Sequence, residues 1–421
     1  MITNCTGISS GLIALTSKRP EDYIARHVLE LQSTTDVSRL QEAWAKVLEA
    51  NPILRARIID LPGQGMVQVI LNLPIAWSFY KTMTEYRDAD RQVVMGLGKP
   101  LLKLAIISDD SETKIHCSVT IHHSTYDGWS MSSVLDQVAM AYGVGFKAPS
   151  TSFQSFVKHI REISVDAATK FWTEQFSGIQ ATQYPHLPSP DYEPKADGIF
   201  EHSIINLELT QRSHTLSTLI RASWAIMMCR QVAGSEALFG SVTAGRQASL
   251  PGIERVSGPT VATVPLLIPI DWENSVQHLL ASIEKQATDM IEFEQTGLRE
   301  IQALGGDDAK DACSFQTLLV VQPPIERSAK QNTIFSPMEH ETIESSLFSA
   351  FATYALTAEC VITDGGIDLR VRFDSHVIGK VQVERLCHQF ERIICQLSLE
   401  SSYKQPVKFI ESASERELHS I

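Results

Sequence analysis

KIHCSVTIHHSTYDGWS, residues 114–130, is the stretch on which the reading of this chain turns. Its first part, KIHCSVTIHH (114–123), reads as a strand, and LLKLAII (101–107) precedes it as a strand partner, joined through DDSET. Side chains alternate along a strand, so Cys117, Val119, Ile121 and His123 share one face. His116, Ser118, Thr120 and His122 share the other. The adjacent histidines therefore point opposite ways, which argues against joint ligation of one metal ion by His122 and His123. No C-x-x-C or H-E-x-x-H nearby completes a metal set. Beyond the strand, Asp127 and Gly128 suit a turn, and Gly128 could bring its backbone close to a ligand. Asp127 lies four residues after His123 and either folds back toward the imidazole or pairs with a basic group that braces the loop. A histidine at a strand end suits proton transfer near neutral pH, and the Gly128 N–H suits an oxyanion. The residues alone leave a second reading open, in which both histidines are satisfied polar groups at a strand end.

Working outward, YIARHVLELQ (23–32) and MVQVIL (66–71) read as strands. DVSRLQEAWAKVLEA (36–50) reads as a helix with Asp36 as N-cap and Leu40, Trp44, Val47 and Leu48 as its apolar stripe. SMSSVLDQVAMAYG (130–143) reads as a helix capped by Ser130 and stopped by Gly143. One long helical stretch, 152–178, leads to a Pro-rich linker or surface loop, QYPHLPSPDYEPKADG (183–198). A second mixed unit follows. Its expected strands are FEHSIINLEL (200–209), ALFGSVTAG (237–245), TVATVPLLIPI (260–270), SFQTLLVVQ (314–322), SAFATYALTAECVIT (349–363) and IDLRVRFD (367–374). Its expected helices are 217–234 and the amphipathic closing helix 380–399. The simplest architecture is two α/β lobes of comparable size, 1–178 and 179–421, with a ligand cleft between them.

The chain has 421 residues, enough for two domains, and a formal net charge of -13. That charge, with no basic block, argues against nucleic-acid binding. Seven cysteines, odd in number and widely spaced, suit reduced thiols in an intracellular protein. No leader pattern and no apolar run of membrane-spanning length is visible, so the expectation is a cytoplasmic protein that contacts no membrane. No G-x-G-x-x-G follows a strand, and no G-x-x-x-x-G-K-[ST] loop occurs.

His122-His123-Ser124-Thr125-Tyr126-Asp127-Gly128 resembles the H-H-x-x-x-D-G signature of nonribosomal peptide synthetase condensation domains, and the flanking VTIHHSTYDGWSM is most similar to fungal members. NCTGISSGLIALT near the start resembles the family's opening segment, with Ser9 in the usual glutamine place. NPILRARI (51–58), GKPLLKLAI (98–106), KFWTEQFSG, SVTAGRQASLPGIERVSGPTVATVPL (241–266), SFQTLLVVQP (314–323) and VRFDSHVIGKVQVERLCHQF (371–390) resemble later segments in the family's order. The resemblance covers nearly the whole chain. It implies an α/β (α+β) fold of two chloramphenicol-acetyltransferase-like lobes in a V.

The implied reaction joins an acyl or peptidyl thioester, delivered on the phosphopantetheine of a partner carrier protein, to an amine. No cofactor bound by the chain itself is implied. The implied partners are donor and acceptor carrier proteins and neighbouring synthetase domains, around a monomer. The resemblance gives His123 the catalytic position, as a base or as a group that orients the amine. It makes Gly128 the oxyanion-side candidate, Asp127 a structural brace, Arg246 its partner, and His122 a hydrogen-bonded structural residue. Tyr126 and Trp129 are expected to pack. The D-x-x-x-x-D motif of heterocyclising relatives is absent, and His122 stands where terminal cyclising members often carry serine. Both ordinary condensation and macrocyclising release remain within the resemblance. A standalone acyltransferase using a soluble thioester, and a non-catalytic recruitment domain, are the alternatives.

Overall fold

The computed structural model describes residues 2–20, 22–109, 114–205, 207, 213–304, 306–322, 334–335 and 353–412. These form two compact units.

The first unit comprises the chain up to Glu162, the excursion Ala244–Val261, and Ile334 and Phe335. Its elements are β1 (Ile2–Asn4), α1 (Gly7–Lys18), β2 (Ile24–Glu30), α2 (Val37–Ala50), β3 (Ala56–Leu61), β4 (Gly65–Ile70), β5 (Trp77–Tyr80), α3 (Met83–Asp90), β6 (Leu102–Asp109), β7 (Lys114–His122), α4 (Gly128–Tyr142) and α5 (Phe153–Arg161). A four-stranded sheet runs in the order β2-β7-β6-β5, and a smaller one in the order β1-β4-β3. β7 lies inside the larger sheet, antiparallel to both neighbours, with His122 opposite Ile24 and Val119 opposite His27. Of the connection DDSET, residues 110–113 lie outside the described residues.

Each face of β7 is buried for a different reason. Cys117, Val119 and Ile121 join the main apolar core of this unit, with Leu40, Trp44, Val47 and Leu48 of α2 and Val134 and Val138 of α4. Full burial of a Leu- or Val-sized side chain stabilises by about 1.5–3 kcal/mol, so this seam is a principal source of cohesion. The opposite face is polar and is met by side chains from other elements. Ser118 donates to the Tyr86 hydroxyl, Thr120 donates to Asp90, and His122 meets Thr16 of α1.

α2 starts at Asp36, whose carboxylate accepts from the Arg39 N–H, and it packs along α4. Asn51 at its end donates to Gln137 of α4 at 2.8 Å. Gln137 in turn donates to Ser257, which ties the 244–261 excursion to α4. Gly258 in that excursion has φ +143°, and a Cβ there would stand 2.3 Å from the Phe153 ring.

The second unit contains α6 (Val165–Phe176), β8 (Gly198–Ile205), α7 (Leu216–Gln231), β9 (Glu236–Thr243), β10 (Ala262–Pro269), α8 (Val276–Met290), α9 (Leu298–Leu304), α10 (Gly306–Ala312), β11 (Thr317–Gln322), β12 (Leu356–Thr363), β13 (Gly366–Phe373) and α11 (Lys380–Leu397). Its six-stranded mixed sheet runs β10-β9-β11-β12-β13-β8, with β11 parallel to both β9 and β12. α7 is buried on nearly every side, and α11 presents Val383, Leu386, Phe390, Ile393, Ile394 and Leu397 to the core.

Several expectations change. The stretch 152–178 is two helices, not one, and the units divide between Glu162 and Ile163 rather than at 178. The reason is packing: Ala168, Trp172 and Phe176 of α6 insert into the core of the second unit. The chain then crosses back, since Ile253 and Val256 bury in the first unit. The Pro-rich passage is not a loose linker, because Tyr184 is buried in the second core and its carbonyl accepts from Thr317. β1, α1, β3, β5, α3, α8, α9 and α10 had no counterpart in the sequence reading. Residues 206, 208–209 and 349–352 of two expected strands lie outside the described residues. All seven cysteines are free thiols. No helix among the described residues is long and apolar enough to cross a membrane.

Candidate active site

β7 ends at His122, and the chain makes a single 3-10 turn, His123–Thr125, before α4 begins. The turn is fixed from both sides. The N–H groups of His122 and His123 donate to the carbonyls of Leu101 and Tyr23, each at 2.9 Å. Thr125 donates to the His122 carbonyl, and Ser9 of α1 donates to the Ser124 carbonyl at 2.9 Å.

His122 is fully buried and its ring is saturated. The Ser124 N–H donates to Nδ1 at 3.1 Å, so Nδ1 is an acceptor and the proton belongs on Nε2. Nε2 then donates to the Thr16 hydroxyl at 2.8 Å, which itself donates to the Leu12 carbonyl. This set is self-consistent only for a neutral ring. Burial, with the like charge of His123 second, pushes the His122 pKa down to about 3.

His123 lies differently. Its side chain is 7% exposed where His122 is at 0%. Its ring stacks on Tyr126, with centroids 4.4 Å apart and planes 25° apart, and Nε2 is 3.0 Å from the Tyr126 hydroxyl. His27 also meets Tyr126, edge-on with ring centroids 6.3 Å apart. Burial, then the charge of His123, lowers the His27 pKa to about 4.

Asp127 does not reach back to His123. Its Oδ1 accepts from the Ser130 N–H at 2.8 Å and from Arg246 Nη2 at 3.1 Å. Its Oδ2 accepts from Arg246 Nη1 at 2.8 Å, from the Thr260 N–H at 3.0 Å and from the Thr260 hydroxyl at 3.3 Å. Arg246 also donates to the Val256 carbonyl and to the Thr260 hydroxyl. Both members of this ion pair are more than nine-tenths buried, at 8% and 3% side-chain exposure. Such a pair is tolerated because each charge is hydrogen-bonded on several sides.

The cap of α4 falls three residues earlier than expected. Asp127, not Ser130, is the N-cap, and Ser130 closes a reciprocal capping box by accepting from the Asp127 N–H. Gly128 is consequently the first residue of a 15-residue helix rather than a turn glycine. Its N–H belongs to the first turn of α4, where amides point along the axis at the positive end of the helix dipole. Trp129 is 54% exposed instead of packed; its Nε1 donates to the Glu254 carbonyl at 3.0 Å.

His122, His123, Asp127, Gly128 and Arg246 thus all gather in the first unit. Sequence reasoning passed over Thr16, Thr260 and His27, and noted Ser9 without giving it a role. Thr16 and Thr260 are ordinary hydroxyls with no local pattern to mark them. His27 had a usable signal, because in the sheet it shares a face with Ala25 and Leu29, which point into the core.

A four-stranded and a six-stranded sheet in separate units, with a histidine on the turn that leaves an inner strand of the first, define a two-lobed acetyltransferase-like α+β fold. Solved structures bear this out. One described as the crystal structure of CT aligns with TM-score 0.78 and 17% identity, covering 97% of this chain and 92% of its own. A starter condensation domain of rhizomide synthetase, in complex with C8-CoA and Leu-SNAC, aligns with TM-score 0.72 and 14% identity over 98% of each chain. The family model of the condensation domain matches residues 12–421, and the chain belongs to that family. Similar curated proteins are fungal. Nonribosomal peptide synthetase ungA' of Aspergillus campestris is 39% identical over 420 residues, or 99% of this chain. N-benzoylphenylalaninol synthetase apmA of Penicillium brevicompactum is 34% identical over 396 residues, or 94% of this chain. The chain spans only 4% of the first relative's length and 16% of the second's.

Proposed function

We propose that this chain catalyses amide-bond formation between an acyl or peptidyl thioester, carried on the phosphopantetheine of a carrier protein, and an amine. The observation that carries the reading is the division of labour within the motif. Asp127 and His122 give their polar atoms to backbone, hydroxyl and guanidinium partners, whereas His123 Nε2 faces the exchangeable hydroxyl of Tyr126. His123 is therefore the motif's side chain with a proton-transfer role to fill. It accepts a proton from the attacking amine as the C–N bond forms and the C–S bond breaks, and the proton leaves with the phosphopantetheine thiol. The Gly128 N–H, at the start of α4, is oriented to stabilise the oxyanion of the tetrahedral intermediate. The Asp127–Arg246 pair positions that helix start, and His122 fixes the turn. Carrier proteins and neighbouring synthetase domains are the partners this reading requires. An amine on the same peptide would turn the same chemistry into macrocyclising release.

Intact mass spectrometry of two loaded carriers tests the reading. The chain is incubated with a donor carrier bearing an acyl- or peptidyl-phosphopantetheine and an acceptor carrier bearing an aminoacyl-phosphopantetheine. Appearance of the donor mass on the acceptor, or of a released cyclic product, supports it. Equal transfer from a soluble acyl thioester, with no preference for carriers, would favour a standalone acyltransferase. Absence of transfer across a panel of carrier-bound donors would count against catalysis.

A further inference from the structure

On the second unit, the sheet-edge strand β8 and the closing helix α11 bring together three side chains that the peptide-forming reading does not use. His202 lies on the packed side of β8, stacked on Phe200. His388 and Glu391 are one turn apart on α11, beside its buried apolar stripe. Glu391 Oε2 is 2.8 Å from His202 Nε2 and 3.6 Å from His388 Nδ1, so one carboxylate oxygen faces a nitrogen of each ring. The two imidazoles meet edge to face, with centroids 4.7 Å apart. One ligand atom from each residue lies within 4.8 Å of the other two. Among the described residues this is the set of titratable groups with metal-binding geometry.

We propose that His202, His388 and Glu391 form a binding site for a borderline divalent d-block cation of the zinc class. The ligand chemistry selects the metal. Two neutral imidazoles and one carboxylate suit zinc, cobalt, nickel or copper, and the nitrogen pair disfavours magnesium and calcium. Ligand bonds of about 2.0–2.2 Å around a tetrahedral ion place donors roughly 3.4 Å apart, so small side-chain rotations close the site. The remaining position is open to water. The surroundings also suit a built site. Side-chain exposures of 15%, 27% and 34% for His202, His388 and Glu391 leave it reachable but partly dry. The neighbouring Arg392 is turned to Glu411. Gln389, also adjacent, accepts from Gln231 of α7, which holds α11 in register. A bound cation would fasten the edge strand to the last helix and so stabilise the second unit.

The test is calorimetric titration of zinc chloride into the metal-stripped chain, with thermal unfolding beside it. The expected result is one equivalent bound, an unfolding temperature raised by several degrees, and at least tenfold weaker binding in His202→Ala and Glu391→Gln. His278→Ala, an exposed residue on α8 away from this cluster, is expected to bind as the parent does. Unchanged affinity in both site variants, or no saturable binding by the parent, overturns the proposal. Zinc-edge X-ray absorption of the parent chain provides a readout that does not depend on variants folding. Two imidazole ligands and low coordination are expected, and sulfur ligation or a purely aqueous shell contradicts the assignment.

Discussion

Along β7 of the first unit, Ser118, Thr120 and His122 occupy buried positions, and each hydrogen-bonds a side chain from another element. Along β11, an inner strand of the second unit, the buried run is Thr317, Leu318, Leu319 and Val320, with one polar side chain against three apolar ones. Both strands lie inside sheets clad by helices, so neither geometry nor cohesion demands polar residues there. A buried polar group costs stability unless it is fully paired, and at best it returns a modest net gain. The polar face of β7 therefore supplies position more than cohesion. It anchors the strand end on α1 and α3, and with it the turn that carries His123. β11 by contrast gives its buried positions after Thr317 to packing.

The sharpest way to break this contrast is to remove one charge from the network. Asp127→Ala leaves Arg246 buried without its carboxylate and is expected to cost about 3–5 kcal/mol in denaturant unfolding, with activity falling as well. A well-folded, fully active variant would refute the bracing role. A second effect should be confined to acid. His27 and His122 are neutral when folded, with pKa values lowered to about 4 and about 3, and both revert to ordinary histidine values on unfolding. The unfolded chain thus binds more protons below about pH 6.5, so stability is complete above that pH and falls as acid is added. By pH 5 the loss should be on the order of 2 kcal/mol per histidine. In His27→Leu the stability–pH slope should flatten by one histidine's share, and an unchanged slope would contradict the buried neutral state.

Packing in the second unit should respond to volume instead. A Cβ at Gly240 would lie 2.2 Å from the Phe315 ring, so Gly240→Ala is expected to cost about 1–3 kcal/mol without altering the acid response of the first unit. Circular-dichroism melts at neutral and acid pH separate the two effects. The smallest expected change is at the surface. Lys114 and Glu30 meet at 2.9 Å but are 49% and 40% exposed, so Lys114→Ala should shift stability by less than about 1 kcal/mol.

Much of this was legible in the sequence because alternation and helical stripes are local signals. The place of His122 on the polar face of β7, the Asp36 cap and the Leu40–Leu48 stripe all follow from spacing alone, whereas His123 falls in the 3-10 turn just past the strand. The break between α5 and α6 was harder, since both halves are helical and only the tertiary core assigns α6 to the second unit. The meeting of Asp127 and Arg246 spans 119 residues, and no local pattern encodes it; family resemblance suggested it. Thr260, which donates to the same carboxylate through both N–H and hydroxyl, carried no such marker. The cap was misplaced for a related reason. Ser130 and Asp127 are both good capping residues, and the guanidinium partner that favours Asp127 is remote in sequence.

In the proposed reaction His123 performs the chemistry while the rest of the motif holds it in place. The direct measurement is single-turnover transfer between loaded carriers by His123→Ala, read by intact mass, alongside its unfolding curve. Transfer is expected to drop by at least about a hundredfold with stability nearly unchanged, because the Asp127–Arg246 pair and the His122 contacts are left intact. Transfer at the parent rate by the folded variant would contradict it.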